Sequence, residues 1–204
     1  MLEEEGNKQA TKMDGCQKIG GKLIGPGKEI FRAGGKMCIR DRMVPVRDMP
    51  MPKAKYPLKC PYRMTPTRIV VHNTYNDAPA ENEVKYMQGN LKLGGFHAAV
   101  DDKEIIRCSP FDRNTWNATD GNGPGNRQGI AIEICYSKSG GERFIQAEKN
   151  AAEYIAMLLK SYGWGIDKVT KHQDYSGKYC PHRTLDMGWQ RFLDMVAGLS
   201  LIHI

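Results

Sequence analysis

The sequence predicts an α/β domain, and three observations carry that expectation. Short apolar, β-branched runs recur at residues 68–71, 96–100 and 130–135, each of the length of a buried strand. A longer stretch, residues 146–162, places Ala151, Ala152, Ile155, Leu158, Leu159 and Tyr162 at helical spacing. Strands and helices alternate along the chain, which is the pattern of a layered α/β fold.

The elements follow from local composition. Residues 1–42 are rich in Gly, Lys and Glu without periodicity, and no regular element is expected there. Pro45, Pro50, Pro52, Pro57, Pro61 and Pro66 favour extended, non-helical chain up to residue 66. Arg68, Ile69, Val70 and Val71 then form a first strand ending at His72, and Asp77 is placed to cap a helix over residues 79–89. A second strand at 96–100 turns at Asp101 and Asp102 into a return strand at 104–108. Gly121, Gly123, Pro124 and Gly125 mark residues 117–128 as a loop, and long loops in compact domains often carry function. The strand at 130–135, the helix at 146–162, a short extended piece at 169–171 and a last helix at 187–197 complete the domain.

The two ends differ from the rest. Met37, Cys38, Ile39, Arg40, Asp41 and Arg42 can be encoded by ATG TGT ATA AGA GAC AGN. The reverse complement of that string encodes Leu199, Ser200, Leu201, Ile202, His203 and Ile204. The pair reads as library adapter sequence translated at both ends of one insert. Residues 1–42 are then expected to be disordered or chimeric, residues 43–198 to form the domain, and residues 199–204 to be an adapter-derived tail.

This division changes the charge argument. The whole chain carries a formal +7, which invites a nucleic-acid partner. Residues 1–42 hold nine Lys/Arg against six Asp/Glu, so the domain itself carries +4. No basic helix with an aromatic platform appears, and no nucleic-acid partner is expected. No apolar run reaches the roughly 18–20 residues of a membrane span. Neither Met1 nor Met43 opens a basic region followed by an apolar one, so no signal peptide is visible. Cys60, Cys108, Cys135 and Cys180 remain in the domain without CxxC spacing.

Three side chains could bind a soft metal. His72 ends a strand, while His172 and Cys180 lie eight apart around a glycine-containing loop. Two imidazoles and a thiolate leave a fourth tetrahedral position open, as in catalytic rather than structural zinc sites. The same residues also fit a hydrogen-bonded strand-end histidine and a buried thiol. Glu133 interrupts an apolar strand between Ile132 and Ile134. It points either to solvent or into a cleft, where burial would suit it to general acid–base work.

Five segments occur in order: His72-Asn73-Thr74; Phe96-His97-Ala98-Ala99-Val100-Asp101-Asp102; Gly129-Ile130-Ala131-Ile132-Glu133-Ile134-Cys135; Lys171-His172-Gln173-Asp174; and Lys178-Tyr179-Cys180-Pro181-His182-Arg183. Together they resemble the type 2 N-acetylmuramoyl-L-alanine amidases, most of all the catalytic domains of endolysins from phages and prophages of Bacillus-type bacteria. The likeness covers about residues 44–197. It implies a central mixed β-sheet flanked by helices, with zinc in a surface groove held by His72, His172 and Cys180. It further implies Glu133 as the catalytic acid and Lys178 as a basic residue near the oxyanion. The bond cut would join the lactyl group of N-acetylmuramic acid to L-alanine of the stem peptide, with bacterial peptidoglycan as partner.

Tyr75, Asn76, His97 and Asn117 are candidate substrate contacts, although many relatives carry His where this chain has Asn117. His182 is expected to be structural or to support a neighbouring ligand from behind. A monomer is expected, made in a host cytoplasm and acting on the cell wall. The other use of this fold is a non-catalytic peptidoglycan-recognition module, which commonly lacks the cysteine ligand. Cys180 is present, which favours the enzyme.

Overall fold

The computed structural model describes residues 43–202, with side chains through residue 199, and the backbone of three strands before them. The chain divides into two compact units, residues 1–43 and 44–204. In the first, β1 (Gln17–Lys18), β2 (Lys28–Ala33) and β3 (Lys36–Asp41) pair antiparallel in that order. The sequence reading placed no element here. The missed signal is Gly34-Gly35 between two mixed apolar and charged runs, a hairpin signature.

The second unit is built on a six-stranded mixed sheet. Its elements are β4 (Val46–Asp48), a 3-10 turn (Lys53–Lys55), α1 (Tyr56–Lys59), β5 (Arg68–Asn73), α2 (Ala80–Gly89), β6 (Ala98–Val100) and β7 (Ile105–Arg107). There follow α3 (Pro124–Gln128), β8 (Gly129–Ile134), α4 (Gly141–Tyr162), a second 3-10 turn (Ile166–Lys168), β9 (Val169–Lys171), α5 (Gln173–Ser176), α6 (His182–Asp186) and α7 (Trp189–Ile202). The strand order is β4-β7-β6-β8-β5-β9, with β6, β8, β5 and β9 parallel and β7 antiparallel to β6.

The central parallel strands β6, β8 and β5 read as near-continuous apolar runs, as buried parallel strands do. Ile69, Val70, Val71, Ile130, Ala131 and Ile132 are fully buried. The helix α4 packs on β6, β8 and α7. Its Phe144, Ala151, Ile155 and Leu159 are buried, and Gly163 ends it in the left-handed conformation (φ 66°). At the start of β8, a β-carbon on Gly129 would stand 2.5 Å from both Gly125 O and Val70 Cγ2. Only glycine lets α3 lead directly into a strand so close to β5.

Several expectations are corrected in detail. Residues 43–66 are not wholly extended: α1 forms with Pro57 in its first turn, where a missing N–H costs nothing. The 117–128 loop ends in α3, which also opens on a proline. Asp77 does not cap α2 but accepts from Ser139 N and Oγ at 2.8 and 2.6 Å. The α2 N-terminus is instead tied by Asp101, whose Oδ2 accepts from Ala80 N at 2.9 Å. The other oxygen of Asp101 accepts from Lys103 N and Glu104 N, closing the β6–β7 turn. Its carbonyl accepts from Asn150 Nδ2 on α4. The helix α4 starts at Gly141, five residues before the expected position.

His97, a candidate substrate contact, is fully buried and serves the sheet. Its Nδ1 accepts from Ala131 N at 2.9 Å, and its Nε2–H donates to Arg113 O at 2.9 Å. Burial lowers its pKa from 6.5 to about 4, so the ring is neutral. Between these values the unfolded state holds more protons, and His97's contribution to stability falls as pH drops through that window. Replacing His97 by Ala is expected to cost about 3 kcal/mol at pH 7, because a buried donor and a buried acceptor lose their partner. Between pH 7 and pH 5 the wild type should lose ~2 kcal/mol more stability than this variant. Urea unfolding of both proteins at the two pH values checks this, and parallel pH dependence would contradict the assignment.

Candidate metal centre

The sheet register creates the site. His72 is the fifth residue of β5 and pairs with Glu133 of β8, which in turn pairs with Ala99 of β6. Paired positions in neighbouring strands share a face, so His72 and Glu133 lie on the same side of the sheet. His172 follows β9, the strand on the other side of β5. Cys180 arrives from the loop after α5, held by a hydrogen bond from Gln173 N to its carbonyl.

The three expected ligands meet. His72 Nδ1 lies 3.2 Å from His172 Nδ1 and 3.8 Å from Cys180 Sγ. One ligand atom from each residue falls within 4.8 Å of the others, and all three residues are buried. Burial lowers the pKa of His72 to about 3, aided by repulsion from His172 and Lys178. Burial likewise lowers that of His172 to about 4. The Cys180 thiol is pushed up to about 12, first by burial and then by the Glu133 charge.

Both rings are oriented from behind. Asn117 Nδ2 faces three acceptors, Thr115 O, Thr115 Oγ1 and Gly125 O, at 3.1, 3.1 and 3.3 Å. Its Oδ1 is therefore the atom turned to His72 Nε2, at 3.2 Å. The Nε2 must carry the proton, which leaves the Nδ1 lone pair aimed at the other two residues. Thr119 Oγ1 stands 3.0 Å from His172 Nε2 and donates to Ser176 Oγ at 2.7 Å. The hydroxyl thus accepts from His172 and frees that Nδ1 as well.

Asn117, a candidate substrate contact, is accordingly placed behind the His72 ring. Its own backbone is fixed by Asn126 Oδ1, which accepts from Asn117 N and Ala118 N at 2.7 Å each. Thr119 was missed in the sequence, where it reads as one polar residue of a loop.

Glu133 is half-buried, yet its Oε2 is shut off from solvent and has no hydrogen-bond partner among the described residues. Burial, and then the charge of Glu83 on α2, push its pKa up to about 8, against the pull of Lys178. Glu83 is a second residue the sequence did not single out. It is buried and receives a hydrogen bond from Asn76. Lys178 is exposed, and its charge acts on His72, His172, Cys180 and Glu133.

Of the remaining candidates, Tyr75 is exposed, three residues beyond His72. Asn76 holds its turn, its Oδ1 accepting from Ala78 N. His182 is structural as expected: its Nε2–H donates to Ser137 O at 3.1 Å. Asn73 Oδ1 accepts from Arg183 N and Thr184 N, fixing α6 against the end of β5.

Known proteins share this arrangement of sequence and sheet. The profile of a family described as N-acetylmuramoyl-L-alanine amidase matches residues 62–183. The chain is 56% identical over 146 residues to N-acetylmuramoyl-L-alanine amidase XlyB of Bacillus subtilis (strain 168), covering 71% of this chain and 46% of that protein. It is 57% identical over 137 residues to CwlA of the same organism, covering 67% and 50%. The chain thus spans about half the length of these curated relatives. Among solved structures, PlyL matches with a TM-score of 0.73 and 53% identity over 74% of this chain and 96% of that one. The PlyG catalytic domain matches with a TM-score of 0.73 and 51% identity over 76% and 94%. The matched profile begins before β5 and ends within α6, enclosing His72, His172, Cys180 and Glu133 alike, and the chain belongs to the N-acetylmuramoyl-L-alanine amidase family.

Proposed function

We propose that this chain is a zinc-dependent peptidoglycan hydrolase that cuts the amide between N-acetylmuramic acid and L-alanine of the stem peptide. The observation that carries the reading is the convergence of two neutral imidazole Nδ1 atoms and one thiol in a buried cluster. Bond lengths of ~2.05 Å to nitrogen and ~2.3 Å to sulfur at tetrahedral angles require about 3.3 Å between the nitrogens and about 3.6 Å from nitrogen to sulfur. The His72–His172 and His72–Cys180 spacings of 3.2 and 3.8 Å fit that requirement, while all three ligand atoms together close only to within 4.8 Å. His72, His172 and Cys180 would hold the ion, with Cys180 as thiolate.

A zinc ion in this position supplies Lewis acidity toward water and toward the scissile carbonyl. The chain's own residues perform the rest. Glu133 in its carboxylate form takes the proton from the attacking water, and the carboxylic acid so formed delivers it to the leaving alanine nitrogen; burial raises its pKa to about 8, which brings both forms within reach near neutral pH. Lys178 brings a mobile positive charge to the rim, suited to the developing oxyanion. Asn117 and Thr119 hold the imidazoles, so the ligand geometry is set before the ion arrives. We further propose that residues 43–198 are the catalytic unit and that both flanking hexapeptides derive from an adapter. Sequencing of the source locus tests that division, and a gene encoding both hexapeptides in place would overturn it.

Two sets of variants of the full chain test the chemistry. Cys180→Ser should lose bound zinc and lose amidase activity, while Asn117→Ala should bind zinc roughly 10–100-fold more weakly. Zinc content after dialysis against graded chelator reads both, and a zinc-free wild type with full activity would sink the metal reading. Glu133→Gln should keep its zinc and lose about 10²–10⁴ in kcat. Release of stem peptide from purified walls measures this. Retention of walls without any cleavage by the zinc-loaded wild type would favour the recognition module instead.

A further inference from the structure

Tyr75 lies three residues beyond His72, is 70% exposed, and has a left-handed backbone with φ 61°. That conformation crowds the β-carbon of every residue but glycine. An exposed ring adds nothing to the core, so folding alone gives no reason for a tyrosine here. The surrounding chain nonetheless enforces the conformation. Tyr75 N–H donates to Ser137 Oγ at 2.7 Å, and Thr74 N–H donates to Ile134 O at 3.1 Å. Ser137 is fully buried, and its carbonyl accepts from His182 Nε2 and Arg183 Nε. The His182 ring lies against Tyr75, with centroids 4.6 Å apart at 60°. Backbone strain that neighbours over-determine marks a functional position.

We infer that Tyr75 is the sugar platform of this site, taking the pyranose ring of the N-acetylmuramic acid residue whose amide is cut. The inference rests on the amidase reading above. An aromatic face is electron-rich and attracts the partly positive C–H groups of a pyranose, while the phenol hydroxyl stays hydrated. His182 backs the ring, so little rotamer freedom remains to be lost on binding. The ring also has the right neighbours: Tyr75 follows one expected ligand by three residues, and His182 follows another by two. A sugar gripped there is held by the two chain segments that bear His72 and Cys180. Such a grip is equally strong in the ground and transition states and therefore acts on KM, not kcat.

The test compares wild type, Tyr75→Phe and Tyr75→Asn of the full chain on two substrates. One is a disaccharide-peptide containing N-acetylmuramic acid; the other is a lactyl-peptide with no sugar. Tyr75→Asn should raise KM about tenfold on the sugar-bearing substrate, with kcat within about twofold, and should match wild type on the lactyl-peptide. Tyr75→Phe should keep the wild-type KM. Tyr75→Asn should also melt no lower than wild type, because asparagine tolerates left-handed φ, which separates lost binding from lost folding. An unchanged KM on the sugar-bearing substrate overturns the platform, and so does an equal rise on both substrates, which would assign Tyr75 to the peptide. Failure of zinc-loaded wild type to cut either substrate overturns the amidase reading first and the platform with it.

Discussion

Two imidazole nitrogens held 3.2 Å apart, each with its lone pair turned inward, are the constraint around which this fold is arranged. Such a pair is unfavourable in isolation. Neither ring can take a proton without placing a buried charge beside the other, and neither can turn away without breaking its bond to Asn117 or Thr119. The sheet supplies the leverage. His72 is locked into β5 between two parallel neighbours, and His172 is fixed where β9 ends. The repulsive arrangement is thus maintained by backbone ladders that do not depend on it.

The same ladders explain why Glu133 differs from an ordinary strand carboxylate. Its register partner is His72, and its surroundings come from α2 as well as from the sheet. One carboxyl oxygen is buried without a hydrogen-bond partner among the described residues, and a second carboxylate lies near enough to oppose its ionisation. Lys178 acts in the opposite sense from an exposed loop. Proton affinity at this position is therefore set by a balance of burial and two charges from different elements.

Much of this was legible in the sequence, for identifiable reasons. Strands β5 and β8 are short apolar runs with clear edges, but the residues alone left His72, His172 and Cys180 open between a metal set and ordinary packing, and the family resemblance singled out the metal set. The α/β class followed from alternation of strand and helix periods. What escaped notice depends on contacts distant in sequence. Asn117 and His97 were expected to face substrate, but each has a full set of internal partners that no local pattern announces. Asp77 has the composition of a cap and lost that role to Asp101, twenty-one residues from the helix start it serves. Proline content argued against helix before residue 66, although Pro57 sits where a helix accepts one. Glu83 carries no local signal, and its charge bears on Glu133 only because α2 packs against β6 and β7.

Asp101 joins three elements through one residue: the start of α2, the turn between β6 and β7, and a side chain of α4. Glu83 is only three residues from the α2 end that Asp101 ties down. The placement of a charge that raises the proton affinity of Glu133 is therefore inherited from a turn outside the His72–His172–Cys180 cluster. A drift in that turn would reach the site as a change in acidity before it registered as a change in shape.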